Sequence, residues 1–127
     1  MARAAVSRSS MLAEATVLTK AVTRAAVLLG LTQRQVAAAL GLSSPTASRL
    51  FAGRYQLSPT RSKEWELGAL FVRLFRSLDA LWGHEDTART WMATYNSALG
   101  AAPLHLIKSA AGLVRVVDYL DHARGRV

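Results

Sequence analysis

Cysteine is missing from all 127 residues, and proline occurs only three times. The first absence excludes disulfides and thiolate metal sites and suits a reducing cytoplasm. The second, together with only eight glycines, leaves few points at which a helix must break. Aromatics are 7% of the chain while hydrophobic residues reach 51%, so the apolar content is mainly alanine and leucine. No strand-like alternation persists, and an all-α fold is expected. No apolar run approaches the roughly 18 residues of a membrane span. The opening stretch MARAAVSRSSMLAEA has no apolar core behind its arginines. Neither a membrane anchor nor an export signal is therefore expected.

Acidic side chains are scarce in one half. Residues 1–63 hold nine basic groups against Glu14 alone, whereas residues 64–127 hold seven of each sign. The formal net charge of +8 thus sits entirely in the first half. That is the footprint of a polyanion-binding module joined to a neutral one, with a generally arginine-rich composition as the bland alternative.

Within the basic half, Thr32 to Arg54 reads as two short helices broken at Gly41. Thr32 is placed to cap the first, over Gln33–Leu40, and Ser43 to cap the second, over Ser44–Phe51. Val36, Ala37, Leu40, Ala47 and Leu50 fall where two crossing helices need apolar contacts. Gly41 suits the left-handed turn between them. This is the spacing of a helix-turn-helix whose second helix enters the major groove of DNA. Ser44, Pro45, Thr46 and Arg49 lie near the start of that second helix and are the candidates for base edges. Arg49 stands first among them, because a guanidinium pairs with both O6 and N7 of guanine. Thr46 and Ser48 can donate to base or phosphate. Gln33 is placed to hold a phosphate, with Arg34 and Arg54 adding charge. Ser44 and Thr46 could equally serve only to satisfy the helix start.

The remaining helices follow from periodicity and punctuation. Ser9 or Ser10 is expected to cap a helix to Leu29, with Met11, Leu12, Ala15, Leu18, Val22, Ala25 and Leu29 on its apolar face and residues 1–8 frayed. A long helix from Thr60 to about Gly83 carries an apolar stripe too broad for one neighbour (Trp65, Leu70, Phe71, Leu74, Phe75, Leu78, Leu81 and Trp82). The stripe could serve both halves of the chain or a dimer seam. Shorter helices are expected over Glu85–Thr94, Pro103–Lys108 and Gly112–Ala123, the last with Leu113, Val114, Val117 and Leu120 inward. The expected division is a DNA-binding region over 1–59, a connecting or dimerisation helix over 60–83 and a second module over 84–127.

No catalytic constellation is present. His84, His105 and His122 lack metal-ligand spacing, and the acidic pairs Glu85-Asp86 and Asp118/Asp121 suit helix-start and solvent-face roles. No phosphate-binding glycine loop, nucleophile elbow or zinc-protease motif occurs. The reading is therefore of a binding protein with no cofactor and no metal. A single helix-turn-helix makes too few contacts for tight specific binding, so a homodimer on two-fold operator DNA is expected.

The second half carries a resemblance. Trp91-Met92, Asn96, Leu99-Gly100, Pro103-Leu104, Leu106-Ile107, Gly112, Val116-Val117, Leu120 and Gly125 follow the pattern of the toxin-binding domain of Xre/MbcA/ParS-type antitoxins. The chain resembles that family over about residues 30–127, since an Xre-like helix-turn-helix precedes the domain. Met92 for the usual leucine and Ala101-Ala102 before the proline are mild departures. The resemblance implies a cytoplasmic antitoxin that represses its own operon and blocks the NAD pocket of a RES-domain toxin, an NAD-consuming or ADP-ribosylating enzyme. It implies that the carboxyl-terminal end does the blocking, through Tyr119, His122, Arg124, Gly125, Arg126 and Val127. The alternative is a stand-alone dimeric repressor whose second half dimerises or senses a ligand.

Overall fold

The computed structural model describes residues 2–83 and 85–125, with side chains from Arg8 onward except that of Glu85. Seven helices are described: α1 Ala2–Leu28, α2 Gln33–Leu40, α3 Ser44–Phe51, α4 Ser62–Trp82, α5 Glu85–Ala93, α6 Pro103–Leu106 and α7 Ala110–Gly125. No strand is formed among the described residues beyond one isolated bridge between Asn96 and Ala101. The fold is all-α, as the composition implies.

Helix α4 is the spine. It packs on α1 and α2 along one side and on α5 and α7 along the other. Phe71, Leu74 and Leu78 are wholly buried between them. This explains a stripe too broad for one neighbour: most of it is shared between two groups of helices inside the chain. A single apolar cluster runs without interruption from Val22 of α1 to Leu120 of α7.

Helix α1 buries Ala15, Thr19, Val22 and Ala26, spaced by three and four residues, and the buried Leu29 follows in the turn beyond it. Its start corrects the expectation of a cap at Ser9 or Ser10, because the helix already runs from Ala2. The Ala2-Arg3-Ala4-Ala5 segment consists of strong helix formers that carry it past both serines. Met11 and Leu12 were expected to face inward, yet they are 37% and 66% exposed. They share the angular stripe of Ala15 and Val22 but line an open groove against Gln56, Leu57, Ser58 and Arg61 of the loop before α4, which covers them only in part.

Other boundaries shift for local reasons. Helix α4 begins at Ser62 rather than Thr60, because the Thr60 amide is taken by the Ser58 hydroxyl in the preceding turn, 3.3 Å away. Helix α6 ends at Leu106, short of Lys108. The Ser109 hydroxyl then accepts from the Gly112 amide at 3.0 Å and starts α7 two residues earlier than expected, and α7 continues through Gly125. Val114 is 41% exposed instead of inward. The buried stripe of α7 is Leu113, Val116, Val117 and Leu120, and Val114 lies about 100° round from Leu113.

Candidate functional site

The helix-turn-helix is built by its caps. The Thr32 hydroxyl accepts from the Gln35 amide at 3.1 Å, and the Gln35 side chain accepts from the Thr32 amide at 2.8 Å, a reciprocal capping box. Gly41 takes φ 69° and ψ 31°, a left-handed conformation that a Cβ would strain. The next amide, Leu42, donates to the Ala37 carbonyl at 2.8 Å and turns the chain into α3. Ser43 caps α3 by accepting from the Thr46 amide at 3.2 Å, while its own hydroxyl donates to the Thr46 hydroxyl at 2.9 Å. Val36, Ala37, Leu40, Ala47 and Leu50 are all buried where the two helices cross.

These caps sort the candidate residues. Gln33, Arg34, Ser44, Pro45, Ser48, Arg49 and Arg54 are exposed, whereas Thr46 is half-buried with its hydroxyl engaged by Ser43. Gln33, Arg34 and Ser44 line one shallow cleft between the starts of α2 and α3. That cleft joins a cation to two polar side chains at two helix amino termini, an arrangement suited to phosphate oxygens. Arg54 follows the end of α3, where its amide donates to the Arg49 carbonyl at 2.8 Å.

The sequence reading missed the clamp that fixes the loop leaving α3. The Tyr55 hydroxyl donates to the Glu64 carboxylate on α4, and Arg61 Nε donates to the same oxygen at 2.9 Å. The Arg61 guanidinium sits 4.9 Å from the Tyr55 ring centroid and also donates to the Gln56 carbonyl. Burial, and then the bond to Glu64, raises the Tyr55 hydroxyl above its ordinary pKa. Further along, the Leu57 amide donates to the buried Thr19 hydroxyl of α1 at 3.0 Å. The Arg61/Glu64 spacing of three residues was the one legible signal for this cluster.

The second half has its own geometry. The Asn96 side-chain oxygen accepts from the Ala98 and Leu99 amides at 3.0 and 3.1 Å, and its backbone carbonyl accepts from Gly100 at 2.8 Å. The Asn-x-x-Leu-Gly run is therefore a tight side-chain-supported turn. Gly112 sits against the end of α6, where an added Cβ would lie 1.9 Å from the Leu106 carbonyl oxygen. Trp82, Trp91 and Tyr119 form a half-buried row, with centroids 5.5 Å apart for the first pair and 6.1 Å for the second.

Of the residues expected at the toxin, Tyr119 belongs to that row and is stacked on Trp91. His122 Nδ1 donates to the Asp118 carbonyl at 2.8 Å, one turn back on α7. Arg124 reaches across to α4 and donates to the buried Ser77 hydroxyl at 3.1 Å, beside the Arg73–Asp121 ion pair. Gly125 is exposed at the end of α7. Arg126 and Val127 lie outside the described residues, as does His84. The two halves are also tied by Arg89 of α5, whose Nε donates to the Leu28 carbonyl at the end of α1, 2.9 Å away. A cation at that end complements the helix dipole.

Two family matches cover most of this architecture. Residues 77–126 match the antitoxin Xre/MbcA/ParS C-terminal toxin-binding domain, which takes in α5, α6, α7 and the aromatic row. Residues 5–73 match the antitoxin Xre-like helix-turn-helix domain, which takes in most of α1, all of α2 and α3, and the first half of α4. No curated protein matches the chain. With both matches in order along one helical core, the chain belongs to the Xre-like helix-turn-helix antitoxins and carries an Xre/MbcA/ParS toxin-binding domain.

Proposed function

We propose that this antitoxin binds operator DNA as a homodimer through α2 and α3, represses its own operon, and blocks the NAD pocket of a RES-domain toxin with the end of α7. It acts in the cytoplasm by binding, without catalysis. The observation that carries this reading is the union of the two matched domains on α4, which one chain needs in order to couple repression to toxin restraint. The cleft of Gln33, Arg34 and Ser44 supports the DNA side, with Arg49 exposed on α3 for base contact. On the toxin side, Arg124 is anchored on Ser77, which ties the last turn of α7 to α4. In this reading the segment that follows Gly125, with the Arg126 guanidinium as its polar group, enters the toxin pocket.

The test is co-expression with a RES-domain toxin and an NAD-consumption assay. Truncation after Gly125 preserves the Arg124–Ser77 contact and should abolish inhibition while operator binding persists. Removing Arg124 to Val127 should do the same and also loosen α7. If a chain ending at Gly125 still silences the toxin, blocking by the tail is wrong. If no complex with the toxin forms at all, the stand-alone repressor reading replaces this one.

A further inference from the structure

The outer face of α1 is unlike the face it buries. Val17 is 67% exposed, and beside it Ala13, Glu14 and Ala21 line one wall of a groove whose other wall is Trp65 and Ala69 of α4. At 100° per residue, Ala13, Glu14, Val17, Lys20 and Ala21 fall within an arc of about 120° centred on the exposed Val17, with half-buried Ala21 at the edge of the core. The order of these residues is self-complementary about Val17. Alanines stand four residues before and four after it, and Glu14 and Lys20 stand three before and three after.

We propose that this face is a homodimer seam, in which the α1 helices of two copies pair antiparallel across a two-fold axis at Val17. The symmetry places Val17 against Val17, Ala13 level with Ala21 of the second copy, and Glu14 level with Lys20 of the second copy, each of the last two twice. Small residues at Ala13 and Ala21 let the helix axes approach closely. The pairing gives Glu14, the sole acid among the first 63 residues, a cation of opposite sign, and among the described residues it has no ion-pair partner within its own chain. A carboxylate on the face, at its edge, argues against DNA as the occupant. The toxin-binding match begins at residue 77, well beyond α1, which argues against the toxin. The seam rests on the homodimer reading and adds to it the surface that sets how the two recognition helices are related.

The experiment is sedimentation velocity on the full chain, with helicity followed by circular dichroism. The altered side chains are at the surface, so the variants should fold. Glu14→Lys and Lys20→Glu should each weaken the dimer about tenfold, because two attractive pairs become repulsive. An equal mixture of those two variants should recover a dimer, since every facing pair is again opposite in sign. The chain has no cysteine, so a Val17→Cys variant reports the axis directly and should form a disulfide-linked dimer under oxidation. A wild-type dimer that resists both charge reversals and does not cross-link at Val17→Cys would place the seam elsewhere while leaving the homodimer intact. A monomeric wild type would overturn the seam and the homodimer together. If Val17→Asp leaves the mass unchanged but prevents co-purification with the toxin, the groove belongs to the toxin and the proposal fails.

Discussion

Arg124, in the last turn of α7, donates Nη1 to the hydroxyl of Ser77, which is wholly buried on α4, at 3.1 Å. Ser77 otherwise faces the apolar core, so the contact satisfies a polar group that would be costly to leave alone. It also fixes the end of the toxin-binding domain to the helix that carries the DNA-binding half. Ser77→Ala should cost about 1 kcal/mol in urea denaturation and raise amide exchange over residues 120–125. Unchanged exchange there would mean that α7 is held by its apolar stripe alone.

Arg49 should carry specificity and Arg34 only charge. Arg49→Ala is expected to lose about 1–3 kcal/mol of discrimination for its operator over random DNA, with far-UV helicity unchanged. Arg34→Ala should weaken binding to all sequences alike and reduce the salt slope by about one. A titration that shows Arg49→Ala binding its operator as tightly as wild type removes Arg49 from the base-reading surface.

The Tyr55 clamp predicts an alkaline signature. The fold holds the protonated phenol, because burial and Glu64 both disfavour the phenolate. Its contribution is therefore complete below the ordinary tyrosine value of about 10 and falls as pH climbs through the raised value. Tyr55→Phe should be less stable than wild type by about 1 kcal/mol at neutral pH, and the gap should close above pH ~10. A gap that is constant from pH 7 to 11 would show that the hydroxyl proton plays no part.

Gly112 has no room for a side chain. With the Leu106 carbonyl oxygen 1.9 Å from an added Cβ, Gly112→Ala must push α6 away from α7. A loss of about 1–3 kcal/mol is expected from such overpacking, with toxin binding impaired and operator binding kept. Thermal unfolding and an electrophoretic DNA-binding assay would check the two halves separately, and an unshifted melting temperature would contradict the close approach.

Local chemistry made much of this chain legible. Thr32, Ser43 and Gly41 announced the helix-turn-helix because caps and left-handed turns depend on a few residues and their immediate neighbours. Gly83 and Pro103 likewise marked real helix boundaries. Periodicity was less safe at the ends. Met11 and Leu12 carry the right spacing but meet only the open groove beside the Gln56–Arg61 loop, and Val114 lies one step off the stripe that α7 buries.

By itself, then, the order of residues determined the helical class, the segregation of charge, the caps and turn of the helix-turn-helix, and the two domains in sequence. These depend on contacts within a few positions, or on composition alone. Only the tertiary structure decided that Tyr55 would meet Glu64, that Arg89 would reach the Leu28 carbonyl at the end of α1, and that Arg124 would hold Ser77. Those partners lie 9, 61 and 47 residues apart. Nothing in local spacing pairs them, because packing against α4 chooses which polar groups come within reach of one another.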